Sequence, residues 1–406
     1  MATTAPPAER YRTLDIVRGV AVIGILAVNI GDFALPSDAR LDPTVWGGTD
    51  PANLAVWAVN WVVFDNKMRG LFSLLFGASL LVVADRARAS GRNAWAVQLP
   101  RLLVLLALGA AHFVFLWDGD ILMLYALVGA LALSFIRAGE LALVGGAAAT
   151  FVLTGFVRFL VFVPTGFDAA ERQPGPIASE LLAASIRADR SSALSAYGLH
   201  VGERVAALIP GELANVVFAA PDTLGLMLVG MVLLRSDLLT GAWERRRAWR
   251  LAGWLGLAGG LPVAGIAAWL WANDFPNGTN EFVYFVLAYP FNIALTVAWA
   301  TFLSGWAATA TGWLARALEA TGRAAFSNYI ATSVVMTTIF YGYGGGLYGE
   351  VTRSQAWLFV AGAALLMLVW SRPWLTRYRY GPLEWLWRSV SRGRLQPMAG
   401  GALARP

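Results

Sequence analysis

The chain has no cysteine and two histidines, His112 and His200, in 406 residues. The first absence excludes disulfides, thiolate metal sites and cysteine nucleophiles. The second leaves too few imidazoles for a multi-histidine metal centre, so no metal is expected. Lysine is almost missing as well. Lys67 is the only one, and every other basic side chain is arginine. Charge as a whole is scarce: 14% of residues carry it, against roughly 25% in a soluble globular domain. A soluble protein of this length needs charge to cover its surface, so most of this surface must face something other than water. No phosphate-loop motif is present, which argues against nucleotide-driven activity.

Apolar residues take the place of charge. They make up 58% of the chain and come in long runs, several near the length of about 20 residues that a helix needs to cross a bilayer. The runs are Leu14 to Leu35, Leu54 to Ala84, Leu102 to Trp117, Ile121 to Ile136, Leu141 to Val163, Val216 to Leu234, Leu251 to Trp271, Phe282 to Trp306, Ala324 to Tyr341 and Ala356 to Trp370. The expected fold is all-α, a polytopic membrane protein with about ten transmembrane helices. The first run carries Asp15 and Arg18 and no small-residue cleavage site, so it reads as a retained helix.

Orientation follows from arginine. With the N-terminus and its Arg10 and Arg12 in the cytoplasm, one set of loops holds Arg86, Arg88, Arg92 and Arg101, then Arg137, then Arg235, Arg245, Arg246, Arg247 and Arg250, then Arg316 and Arg323. The tail adds Arg372, Arg377, Arg379, Arg388, Arg392, Arg394 and Arg405, while the short opposite loops hold only Arg40 and Arg353. This asymmetry places both termini in the cytoplasm. It also requires Leu54 to Ala84, which Asp65 to Gly70 interrupts, to make one net crossing, with Leu54 to Phe64 a re-entrant or interfacial helix. The net charge of +6 is then topological, and no nucleic acid is expected. The chain reads as one transmembrane domain over 1–406, with N-terminal helices in 14–163, an outer amphipathic loop in 164–211, C-terminal helices in 212–371 and an aromatic, basic cytoplasmic tail in 372–406.

Ionisable groups at membrane depth are costly, so each is a candidate for function. Asp15 and Arg18 share a helix face that continues to Asn29; the plain alternative is a structural ion pair or snorkelling. Asp65, Lys67 and Arg69 form a second group, in which the lone lysine suits phosphate as a compact charge, or is a chance survivor in an interfacial turn. His112 and Asp120, about two helical turns apart, can face one cavity, with His112 as general base or acyl acceptor and Asp120 orienting it; the alternative is a histidine bonded to a neighbouring helix. Arg158 and Asp222 are further buried candidates, or halves of interhelical pairs. His200, in the long loop with Arg187, Asp189, Arg190, Glu203 and Arg204, reads as a solvated face. Tyr125 and Asn328 supply hydrogen bonds within helices.

These segments resemble the YeiB-like family, a bacterial membrane family named for a domain of unknown function. The resemblance rests on Arg12 to Ile30, with its Leu14-Asp15-Ile16-Val17-Arg18-Gly19 core, and on Lys67-Met68-Arg69-Gly70-Leu71-Phe72-Ser73-Leu74-Leu75-Phe76-Gly77. It extends through His112, Gly119-Asp120-Ile121-Leu122 and Tyr125 to the C-terminal Arg379-Tyr380-Gly381-Pro382-Leu383-Glu384-Trp385-Leu386-Trp387-Arg388. The opening is also similar to membrane acetyltransferases of the heparan-glucosaminide N-acetyltransferase type. That resemblance implies a bacterial inner-membrane acyltransferase taking an acyl group from cytoplasmic acetyl-CoA or another acyl-CoA. Lys67, Arg69 and Arg18 would bind the donor, and Asp15, Asn29, Asp65, Tyr125 and Asn328 would line the cavity. The lysosomal enzyme has a histidine in the loop after its first helix, and Asp32 to Asn53 here has none, so the role of His112 is inferred from this chain alone. Membrane lipids are expected partners and a homodimer follows by analogy. A transporter or a lipid- or quinone-binding protein without covalent chemistry is the competing expectation, and a structural partner in an envelope complex is a third.

Overall fold

The computed structural model describes residues 11–169, 176–276 and 279–399. Arg10, Arg405 and residues 170–175 of the long loop therefore lie outside the described residues. The chain forms α1 (Arg12–Ala34), α2 (Pro51–Val59), α3 (Lys67–Ala89), α4 (Ala94–Phe115), α5 (Leu122–Ala132), α6 (Glu140–Ala169), α7 (Pro176–Ala193) and α8 (Tyr197–Arg235). It continues through α9 (Arg245–Ala272), α10 (Thr279–Phe282), α11 (Tyr289–Ala307), α12 (Gly312–Arg323), α13 (Ala325–Phe340), α14 (Arg353–Arg377) and α15 (Pro382–Ser391). The fold is all-α and polytopic, with no strand among the described residues. Among the described residues, seven helical segments are long and apolar enough to span a membrane, and the bent pair Thr279–Leu287 and Tyr289–Ala307 would make an eighth. Leu122–Phe135 and Ala325–Phe340 are shorter apolar helices.

Local chemistry sets the breaks. Asp50 caps α2 by accepting from Ala52 N at 3.0 Å and Asn53 N at 3.3 Å, and Thr352 with Gln355 closes a capping box on α14. The interrupted segment at Asp65 is real. A π-turn over Asn60–Phe64 ends there, and Asn66 has φ 62°, a left-handed conformation that asparagine tolerates. The turn pairs Asp65 N with Asn60 O. The Trp61 carbonyl instead accepts from Lys67 Nζ at 2.6 Å. Pro51–Ala89 as a whole meets the criteria for one span.

The long loop is the main difference from expectation. Instead of an amphipathic cover over 164–211, α6 runs on to Ala169, α7 follows, and residues 197–211 are the opening turns of the 39-residue α8. The charged positions read as a loop in the sequence. The helix carries Pro210 as a single lost backbone bond, and Arg204 and Glu212 on it are buried and line the cavity while Glu203 is exposed. His200 is correspondingly not solvated: it is 3% exposed and stacks on Tyr341 at 5.1 Å.

Helix α1 is the most enclosed of the spans and packs on α3, α11, α12, α13 and α14. Helix α8 packs on α3, α4, α5 and α6. Glycine permits the α3–α8 approach, because a Cβ at Gly230 would strike the Leu74 backbone. Arginine-bearing turns gather at one end of the bundle. Arg88 and Arg235 both donate to Ile136 O, at 3.0 and 3.1 Å, and Arg12 pairs with Glu319 at 2.9 Å. The opposite end encloses a cavity.

Candidate functional site

The cavity holds about 900 Å³ between α1, α4, α6, α8 and the turns joining them. Its wall includes Asn29 and Asp32 of α1, Arg40, Arg69, Asp120, Arg158, Tyr284, and His200, Arg204 and Glu212 of α8. Most lining residues come from the end of the bundle away from the arginine-rich turns.

Beside it lies a closed hydrogen-bonded series. His112 stands on the last turn of α4, where Leu116 N and Trp117 N both donate to its carbonyl at 2.9 Å and reverse the chain. The reversal brings Asp120 back to His112, whose Nδ1 lies 2.9 Å from Asp120 Oδ1. The expected pairing is present, but it arises from this turn and not from two successive turns of one helix. Asp120 Oδ2 accepts from Met123 N at 2.8 Å and so also holds the start of α5. A Cβ on Gly109, three residues before His112, would collide with Met123 N, so glycine lets α4 sit against that start.

The other imidazole nitrogen, Nε2, lies 2.8 Å from Ser333 Oγ on α13. An ionised carboxylate only accepts, so Nδ1 donates to Asp120. A ring protonated at Nδ1 alone presents its Nε2 lone pair to the serine hydroxyl, which also lies 3.4 Å from Tyr329 O. Asp120, His112 and Ser333 thus stand in the order of a carboxylate–imidazole–hydroxyl relay. His112 and Ser333 are 2% and 1% exposed. Only Asp120 of the three lines the cavity; Trp117 and Gly119 form the wall beside it. The Tyr329 ring packs 5.2 Å from the imidazole, and its hydroxyl donates to Gly119 O at 3.3 Å. Sequence reading did not find Ser333, which has no spacing relation to His112.

A second network stands behind Arg69, the one of its members that lines the cavity. Arg69 Nη2 lies 2.5 Å from Asp222 Oδ2, Arg69 Nη1 donates to Thr223 Oγ1 at 3.1 Å, and Tyr289 Oη donates to Asp222 Oδ1 at 3.0 Å. Tyr125 Oη donates to Arg69 O at 3.1 Å and sits 2.9 Å from Ser73 Oγ. Tyr125 braces Arg69 from behind and does not line the cavity. Asp65 faces a small adjoining pocket, where Arg40 Nη2 donates to it at 2.7 Å and Tyr284 Oη at 3.2 Å. Burial pushes the Arg40 guanidinium down, but Asp65, Tyr284 and Asp32 outweigh it and hold its pKa well above the ordinary value.

The remaining predicted residues lie elsewhere. Lys67 is 1% exposed, spends its ammonium on Trp61 O and is absent from the cavity wall. Asp15 and Arg18 pair at 3.0 Å near the arginine-rich end, where Arg18 also donates to Ser79 Oγ at 3.0 Å. Asn328 donates to Thr321 O at 3.1 Å and accepts from Trp370 Nε1 at 2.8 Å, tying α13 to α14. Lys67, Arg69 and Arg18 are therefore not one cluster. The C-terminal marker is a clasp: Glu384 accepts from Phe326 N at 2.8 Å, Ser327 N at 3.2 Å and Ser327 Oγ at 2.6 Å, capping α13. Burial raises the Glu384 pKa, and these three donors pull against it. Among the described residues no group of three or more metal-ligating side chains could hold an ion.

Residues 233–394 match the family model described as Protein of unknown function (DUF418). The chain is 31% identical over 402 residues to the uncharacterized protein YeiB of Escherichia coli K12, covering 94% of this chain and 96% of that one. It is 28% identical over 409 residues to the uncharacterized protein YxaH of Bacillus subtilis 168, covering 96% of each. No solved structure matches.

Proposed function

Because the chain belongs to the YeiB-like family of membrane proteins of unknown function, its activity has to be read from its own side chains, and we propose that it is a membrane-embedded acyltransferase. The observation that carries this reading is the series Asp120–His112–Ser333 beside a cavity of about 900 Å³. In the proposed reaction, Ser333 Oγ attacks the carbonyl carbon of an activated acyl ester, and His112 Nε2 takes the hydroxyl proton. The bond to the leaving group breaks, and His112 returns the proton to the departing thiolate or alkoxide. An acceptor hydroxyl or amine then attacks the acyl-serine, His112 takes its proton, and Ser333 leaves with that proton restored. Asp120 holds the imidazole in the required tautomer and stabilises the imidazolium.

Two features bear on substrates. Ser333 is buried and off the cavity wall, so the reading requires a rearrangement that brings the acyl group to it. The arginine asymmetry and the bacterial relatives favour the bacterial inner membrane, with the cavity on its outer side. Acetyl-CoA is the donor to test first, because the resemblance to the acetyltransferases suggests it; with the cavity on the outer side, its acyl group has to reach Ser333 from the cytoplasmic end of the bundle. Of Lys67, Arg69 and Arg18 only Arg69 lines the cavity, which favours donor binding by Arg69 with the other cavity groups over a site built from those three.

The test is turnover by detergent-purified protein given acetyl-CoA with a labelled acetyl group, followed as free CoA and acylated acceptor. Release that falls to background in both His112→Ala and Ser333→Ala, with melting temperature retained, supports the reading. Undiminished release in either variant removes it. Binding or carriage without bond-making is the second reading, favoured by Arg69 in the cavity wall, paired with Asp222 behind it.

A further inference from the structure

Four arginines meet the cavity, and they are not alike. Arg40 lies 2.7 Å from Asp65, and Arg69 lies 2.5 Å from Asp222. Arg158 and Arg204 have no carboxylate within 4.0 Å among the described residues, although they are 5% and 6% exposed. A buried cation without a close counter-charge is costly, and Asp222 compensates Arg158 only from beyond ion-pair distance. Aromatic faces supply part of the compensation. The Arg158 guanidinium lies 4.3 Å from the Tyr289 ring centre, 5.4 Å from Phe218 and 5.8 Å from Phe285, and Arg204 lies 5.8 Å from Tyr341. Ring faces do not satisfy every N–H. Arg158 Nε and Arg204 Nη1 have no hydrogen-bond partner, and neither has Glu212 Oε1, whose residue is 8% exposed. All three residues line the same cavity.

The wall between them is cut back. Helix α8 brings Ala207, Gly211 and Ala219 to the lining, and a Cβ at Gly211 would meet only the Ala207 methyl. From the level of Phe218, against which Arg158 lies, Glu212 is about 9 Å along the helix axis and Arg204 about 21 Å. One small anion cannot reach both arginines. A molecule whose anionic group rests on Arg158 can extend along the Gly211 face and present a hydrogen-bond donor to Glu212.

We propose that this cavity is a binding site for an organic oxyanion, a phosphate ester or carboxylate held by Arg158, that carries a hydroxyl or amine group received by Glu212. The proposal goes beyond acyl transfer and stands without it, because binding needs no covalent step. Arg158 offers the forked N–H geometry that suits a phosphate or carboxylate. The same chemistry is found in a lipid headgroup and in a soluble sugar phosphate, and the two are separable.

The experiment is a calorimetric titration of the full-length protein in neutral detergent with no acyl donor present. The probes are glucosamine 6-phosphate in solution and phosphatidylglycerol in mixed micelles. The expected result is saturable binding of at least one probe, weakened at least tenfold in Arg158→Gln and partly restored in Arg158→Lys. Binding of the micellar probe alone assigns a lipid headgroup, and binding of glucosamine 6-phosphate assigns a soluble ester. Gly211→Leu fills the groove without removing a charge and should abolish binding, which keeps the test decisive if Arg158→Gln does not fold. No saturable binding of either probe overturns the proposal. So does binding that neither Arg158→Gln nor Gly211→Leu alters.

Discussion

The two ends of the bundle treat their polar groups differently. Near the arginine-rich end, the predicted site residues are closed into structural contacts. Arg18 holds Asp15 and Ser79, Asn328 ties α13 to α14, and Glu384 takes three donors from the start of α13. At the cavity end, Arg158, Arg204 and Glu212 keep partnerless atoms despite burial, and Asp120 opens on the same space. Satisfied polar groups of this kind hold helices together. Unsatisfied ones around an open volume are prepared for something that is not part of the chain. Polarity within a membrane span is thus not one signal: partnerless atoms occur elsewhere too, as at Asn292 and Ser304, and it is their gathering around one cavity that marks Arg158, Arg204 and Glu212.

The largest effect that would break this comparison is on chemistry. His112→Ala should lower acyl transfer by roughly a hundred- to ten-thousand-fold, the usual range for a general base, whereas Arg18→Ala should alter melting temperature alone. An equal loss of transfer in both variants would erase the distinction between the ends. Next comes the network behind Arg69. Asp222→Leu strands Arg69, and should cost about 3–5 kcal/mol of stability. Adding Arg69→Met should recover much of that loss, as read by denaturant unfolding in detergent. Glu384→Ala removes the clasp and should cost about 1.5–3 kcal/mol, lowering the melting temperature with oxyanion binding unchanged. The smallest effect belongs to Lys67→Met. Loss of the bond to Trp61 O is offset by removing a buried ammonium, so stability should shift by no more than about 1 kcal/mol. A large loss of ligand binding in that variant would move Lys67 from the structural group into the site.

The helices were legible because membrane burial writes itself into runs of apolar residues. Asp65 to Gly70 was legible as a break because so many polar groups rarely fit inside a straight span. Helix α8 differs from the expectation for a related reason: His200, Arg204 and Glu212 face the cavity, so its first turns carry the composition of a solvated loop. His112 and Asp120 were readable as a pair from their proximity in the chain. Ser333 was not, since it reaches His112 only through the packing of α13, which the spacing of residues does not encode. Its one trace in the sequence is a hydroxyl in an otherwise apolar stretch, a trace it shares with Thr337, whose side chain bonds its own helix at Ser333 O. The solitary lysine pointed to phosphate by residue type alone, and the π-turn that occupies it left no mark in the sequence.

The most direct test of the account is to trap the acyl-enzyme. The protein is mixed briefly with acetyl-CoA, quenched in acid and digested, and the peptides are read by mass spectrometry. The account predicts an acetyl group on the α13 peptide at Ser333, absent from Ser333→Ala and His112→Ala. Turnover that persists in both variants, with no acetyl group on that peptide, would contradict it.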